Sequence, residues 1–113
     1  MRAINSTKNQ DLASRLAIAE SIFSRMKGLL GRNSLDDGEG LLIRPCKGIH
    51  TFGMKFPIDA VFLNKNNRVI AISKNILPNR MTRIYLSASS VIELTAGTAE
   101  ATAINIGDEV EFA

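Results

Sequence analysis

From residue 41 onward the chain is cut into short apolar runs, each stopped by residues that turn the backbone, and runs this short fit strands better than helices. Residues 41–43 end at Pro45, residues 58–63 are rich in branched and aromatic side chains, and residues 91–94 end at Ala96-Gly97. Asn64-Lys65-Asn66-Asn67 tolerates left-handed backbone, so residues 60–63 and 69–72 are expected to pair as a hairpin. Residues 98–103 read as one helical turn, and Ile104-Asn105-Ile106-Gly107-Asp108 as a tight turn delivering a closing strand over 109–112. Several strands at close spacing with one substantial helix predict a β-rich α+β domain. Its architecture is expected to be a curled antiparallel sheet, barrel-like or sandwich-like, with one main helix packed across it.

The first third supports two divisions. Leu12, Leu16, Ala19, Phe23, Met26 and Leu30 recur every three or four residues behind Asp11, which alone favours one long amphipathic helix. The alternative is a strand over 12–19 and a helix over 21–30, with Ser21 as N-cap and Gly31 as the left-handed stop. Ile22, Phe23, Met26, Leu29 and Leu30 then form its apolar face.

With 113 residues, the chain is expected to form a single domain over 1–113. Its single cysteine excludes an internal disulfide and a four-cysteine zinc site. The start lacks the apolar core of a signal peptide, and no apolar run approaches the ~20 residues of a bilayer span, so a cytoplasmic location is expected. Net charge +3 is too weak to imply a phosphate-binding protein. The basic stretch 65–90 and the acidic stretch 91–113 are expected to pair across a sheet. With no Trp, one Tyr and no nucleic-acid motif, at most weak, sequence-independent attraction to polyanions is expected. That expectation also assumes a packed 21–30 helix, which leaves no basic amphipathic surface helix.

Chemistry-bearing residues concentrate in 45–59. This stretch holds the only Cys, the only His and two of the three prolines. It also carries a resemblance: Leu29-Leu30-Gly31-Arg32, Gly40-Leu41-Leu42-Ile43, the block from Ile49-His50-Thr51 through Met54-Lys55-Phe56-Pro57-Ile58-Asp59, Val91-Ile92-Glu93-Leu94-Thr95-Ala96-Gly97 and Ile106-Gly107-Asp108 are similar to the domain of unknown function 192 family. The similarity covers almost the whole chain, and the Met54–Asp59 block is its most specific part. Members often carry a bulky aromatic before the Met-Lys pair, where Gly53 stands here. The resemblance implies a β-rich α+β domain with a strand leading into a helix that ends near Gly31-Arg32, which favours the strand-then-helix division. It implies no activity.

Cys46 and His50 suggest a nucleophile and its base. Four residues of extended chain span roughly 13 Å, however, and the packing alternative is a buried thiol beside a backbone-bonded imidazole. Cys46, His50 and Met54 offer soft donors, but their spacing matches no metal motif, so no metal site is expected. No cofactor is indicated. Asp59 shares a strand face with Val61 and Leu63 and so needs a partner or backbone hydrogen bonds, either as a loop cap or with Lys55 at a site. Arg32 is expected to meet the negative end of the helix dipole. The resulting expectation is a binding or accessory domain with a small-ligand cleft beside 45–59. Phe52, Met54 and Phe56 would wall it, with His50, Thr51, Lys55, Asp59 and Cys46 as polar contacts and Arg44 or Arg80 as an anion anchor. The partner would be a small polar or anionic ligand, or a protein. The alternative is a small hydrolase using Cys46 or Asp59 with His50.

Overall fold

The computed structural model describes residues 1–113. Strands β1 (Ala3–Asn5), β2 (Gln10–Ala13) and β3 (Arg15–Ala19) lead into helix α1 (Ile22–Lys27); β4 (Glu39–Ile43), β5 (Ile58–Leu63), β6 (Val69–Ile76) and β7 (Ser90–Thr95) follow, then helix α2 (Thr98–Thr102) and β8 (Val110–Phe112). They form two sheets, of order β2-β1-β8 and β3-β4-β7-β5-β6. Neither sheet closes on itself, so the β-rich α+β class holds in its sandwich-like form. One pairing departs from the antiparallel expectation: β3 runs parallel to β4, because the long connection through α1 returns the chain in the same direction.

The 60–63/69–72 hairpin forms, with Asn67 in the left-handed region at φ 59°. The central strands β5 and β7 are buried at nearly every position because both faces of the larger sheet are covered. Leu42, Val61, Leu63, Ile92 and Leu94 meet Ala3, Leu12, Ala99 and Val110 between the sheets. On the opposite face, Leu41, Ile43 and Ile58 pack with Leu29, Leu35 and Met54, while Ala60, Phe62 and Val91 pack with Ala88. The basic and acidic stretches meet through two ion pairs, Arg68–Glu109 and Lys74–Glu100, the second joining β6 to α2 and not a strand to a strand, while Lys65, Arg80 and Arg83 have no acid within 4 Å. No helix is long and apolar enough to cross a membrane.

The helix differs from expectation. Ser21 caps it through a capping box with Ser24, but it stops at Gly28 (φ 49°), three residues early. None of its side chains is buried: Ile22, Phe23 and Met26 are 66%, 85% and 73% exposed, and only Leu29, beyond the break, turns into the core. The sheet face that the helix was expected to cover is instead filled by Leu29, Leu35 and Met54, so α1 lies at the rim. Arg32 likewise leaves the helix dipole and pairs with Glu39 at 3.1 Å.

Candidate functional site

Leu41 and Ala60 flank Glu93 in the register of the larger sheet, so its carboxylate stands on the central strand of the loop-covered face. It forms part of the floor of a cavity of about 510 Å³. One side of the cavity is the end of α1 and the residues after it (Met26, Gly28, Leu29, Leu30); the other is the 45–54 segment, with Ile84 at the edge. Gly28 lies over the carboxylate, since a Cβ there would stand 3.7 Å from Glu93 Oε1.

Glu93 is 3% exposed, has no cation within 4 Å, and its Oε1 has no hydrogen-bond partner. Burial pushes its carboxyl up to about 7. Arg25 donates through Nη1 to Pro45 O at 2.9 Å while its Nε is buried and unpaired. The half-buried Cys46 thiol donates to Gly48 O at 3.1 Å. Burial raises its pKa and nearby Glu93 adds to this, against the lowering effects of the Gly48 bond and Arg25. The cavity therefore combines an unpaired acceptor, an unpaired donor and a protonated thiol between apolar walls.

Four of the ten residues singled out in the sequence converge here: Cys46, His50, Phe52 and Met54. His50 and Phe52 stack at the mouth with ring centroids 5.0 Å apart, and His50 Nδ1 accepts from the Phe52 N–H at 3.2 Å. The other six are absent from the lining: Phe56 packs against the core cluster of Leu29 and Met54, and Arg80 donates to Asn79 O at 3.4 Å. Arg44 pairs with Glu20 at 2.9 Å on the surface, and Lys55 donates to Asn33 at 3.2 Å. Thr51 is fully buried; its hydroxyl donates to Leu77 O at 2.7 Å and accepts from Arg80 N at 2.9 Å, tying the 45–54 segment to the loop after β6. Asp59 accepts backbone N–H bonds from Asn75, Gly97 and Ala99 at 2.8, 3.1 and 2.9 Å, the loop-capping reading of that residue. With those oxygens engaged and the thiol turned to Gly48, neither Asp59 nor Cys46 forms a hydrogen bond with His50. No three His, Cys, Asp or Glu side chains converge to hold a metal ion.

Sequence reasoning missed Glu93 and Arg25. Glu93 was visible as a carboxylate inside an otherwise apolar strand; Arg25 lies off the apolar face of the helix, and no pattern in the sequence marks it.

Two unclosed sheets with a shared core and short helices define a small β-rich α+β protein. The same fold appears in a crystal structure of a protein of unknown function from Novosphingobium aromaticivorans. The TM-score is 0.85 and the identity 24%, over 98% of this chain and 82% of that one. It also appears in a candidate transcription regulator from Sinorhizobium meliloti, with TM-score 0.81 and 22% identity over 97% and 89% of the two chains. A UPF0127 protein from Thermococcus sibiricus is 28% identical over 96% of this chain and 73% of its own length. The chain belongs to the family DUF192, Uncharacterized ACR, whose model matches residues 3–112.

Proposed function

We propose that the protein is a binding domain whose cleft takes a small amphiphile, an apolar body carrying a hydrogen-bond donor that reaches Glu93. The observation that carries this reading is the buried, unpartnered Glu93 Oε1 at the cavity wall. A buried acceptor without a partner costs roughly 1–3 kcal/mol, a cost that a ligand donor would remove. Leu29, Ile43 and Met54 supply apolar wall, and the volume lies within the usual range for small-ligand pockets. Arg25 Nε offers a donor to an acceptor on the same ligand.

Hexanamide, which has a short alkyl chain and an amide N–H₂, tests the reading against its methyl-ketone isostere, which lacks the donor. Amide-proton NMR titrations should show saturable shifts at residues 28, 46 and 93 with hexanamide and at least tenfold weaker binding of the ketone. Equal affinity for both, or no saturation with either, would overturn the proposal. Shifts that persist unchanged in Glu93→Ala would also overturn it.

A further inference from the structure

We propose that the face bearing the cleft mouth docks on an anionic lipid surface, an inference independent of what occupies the cleft. Three segments build this face: 21–35, 44–57 and 77–90. They are brought together by Leu30 beside Gly53, Ile84 against Gly48, and the bridge between His50 and Met81. All the exposed large hydrophobic side chains except Met1 and Ile106 lie in these segments. Ile22, Phe23 and Met26 project from α1 at helical spacing, and Leu30, Phe52 and Ile84 continue the apolar surface around the mouth.

The same segments contain eight Lys and Arg and no acid, leaving six cations against all eleven acids on the rest of the chain. Arg32 and Arg44 are neutralised by Glu39 and Glu20. Arg25, Lys27, Lys47, Lys55, Arg80 and Arg83 have no acidic partner within 4 Å; Arg25, Lys47 and Lys55 donate to Pro45 O, to Leu86 O and Ala88 O, and to Asn33, while Lys27 and Arg83 make no side-chain hydrogen bond. Exposed apolar side chains interleaved with unpaired cations match an anionic bilayer interface, where the apolar groups enter the acyl boundary and the cations meet phosphates. A second copy of the chain in a two-fold contact would set this positive face against another, and the phosphate backbone of a nucleic acid offers no apolar counterpart to Ile22, Met26 and Ile84.

Cosedimentation of the full chain with phosphatidylcholine vesicles, with and without phosphatidylglycerol, tests the proposal. Binding should require phosphatidylglycerol and weaken with salt. Phe23→Ser should reduce it roughly tenfold, and Lys27→Glu with Arg83→Glu at least tenfold. Both variants should melt like the parent, because the altered side chains are exposed. No vesicle binding, equal binding to both vesicle types, or binding unchanged by Phe23→Ser would overturn it. So would tighter binding to duplex DNA or polyglutamate than to the vesicles, or a dimer that Phe23→Ser disperses.

Discussion

Replacing Glu93 by glutamine isolates the energetic consequence of a buried carboxylate with no partner. Burial raises its pKa from an ordinary 4.5 to about 7. Between these values the native state holds a proton that the unfolded chain has released, so folding stability falls as pH rises and levels off above about 7. At ~1.4 kcal/mol per pH step, the gap amounts to about 3 kcal/mol of stability present at pH 4.5 and absent at pH 8. Four other groups bound the window. The bonds from Asp36 N–H and Arg32 hold Glu39, and that from Lys74 holds Glu100, below the ordinary carboxylate value, so their contributions are lost only on acidification. Burial raises Asp108, but its bonds to Asn105, Asn5 and Lys8 outweigh this and hold it below its ordinary value, so its contribution is lost only on acidification. Burial pushes the Cys46 thiol up from its ordinary value, away from the window.

Urea unfolding between pH 5 and 8 at fixed ionic strength reads the Glu93 effect alone. The parent should lose stability across the range, while Glu93→Gln, neutral throughout, should stay nearly level. At pH 8 the variant should be more stable by about 2 kcal/mol, the 3 kcal/mol reduced by the cost of a buried amide lacking partners. Parallel pH profiles for the two proteins would refute the reasoning, because they would place the ionised carboxylate in contact with water or a cation. A carboxyl NMR titration near 4.5 would refute it directly.

Three further outcomes follow from the packing. Asp59→Ala strips the partner from three backbone N–H groups and should cost about 3 kcal/mol or more in urea melts; a cost below 1 kcal/mol would deny the capping role. Phe23→Ala should change stability by less than about 0.5 kcal/mol, whereas Phe62→Ala, at a fully buried position, should cost about 3–5 kcal/mol; similar values for both would place α1 against the core after all. Cys46 should react slowly with iodoacetamide at pH 8 and keep accelerating with pH without levelling off by pH 9, whereas rapid alkylation with a plateau near pH 7 would reveal a thiolate and revive nucleophilic chemistry.

The legible and illegible parts of this fold divide on one physical distinction. Periodicity tells which side chains share a face of an element, and it located β5, β6 and β7 because their branched and aromatic residues are held between turn-forming stretches such as Asn64–Asn67. It does not tell whether that face is covered. Ile22, Phe23 and Met26 have helical spacing, which by itself assigns them to the core with Leu29; the break at Gly28 sends Leu29 alone inward and leaves them in solvent. Glu93 shows the converse. Its sequence position marks a strand, but only the register against Leu41 and Ala60 sets the carboxylate at the centre of the sheet, where burial leaves Oε1 without a partner. The 45–59 block was singled out for its rare residues, and it does wall the cavity through Cys46, His50, Phe52 and Met54, while Thr51 and Asp59 use their polar groups to hold loops. A polar side chain in such a block therefore becomes a candidate contact only when its hydrogen-bonding capacity remains unspent. By that criterion Glu93 and Arg25, outside the block, have a stronger claim than Asp59 within it.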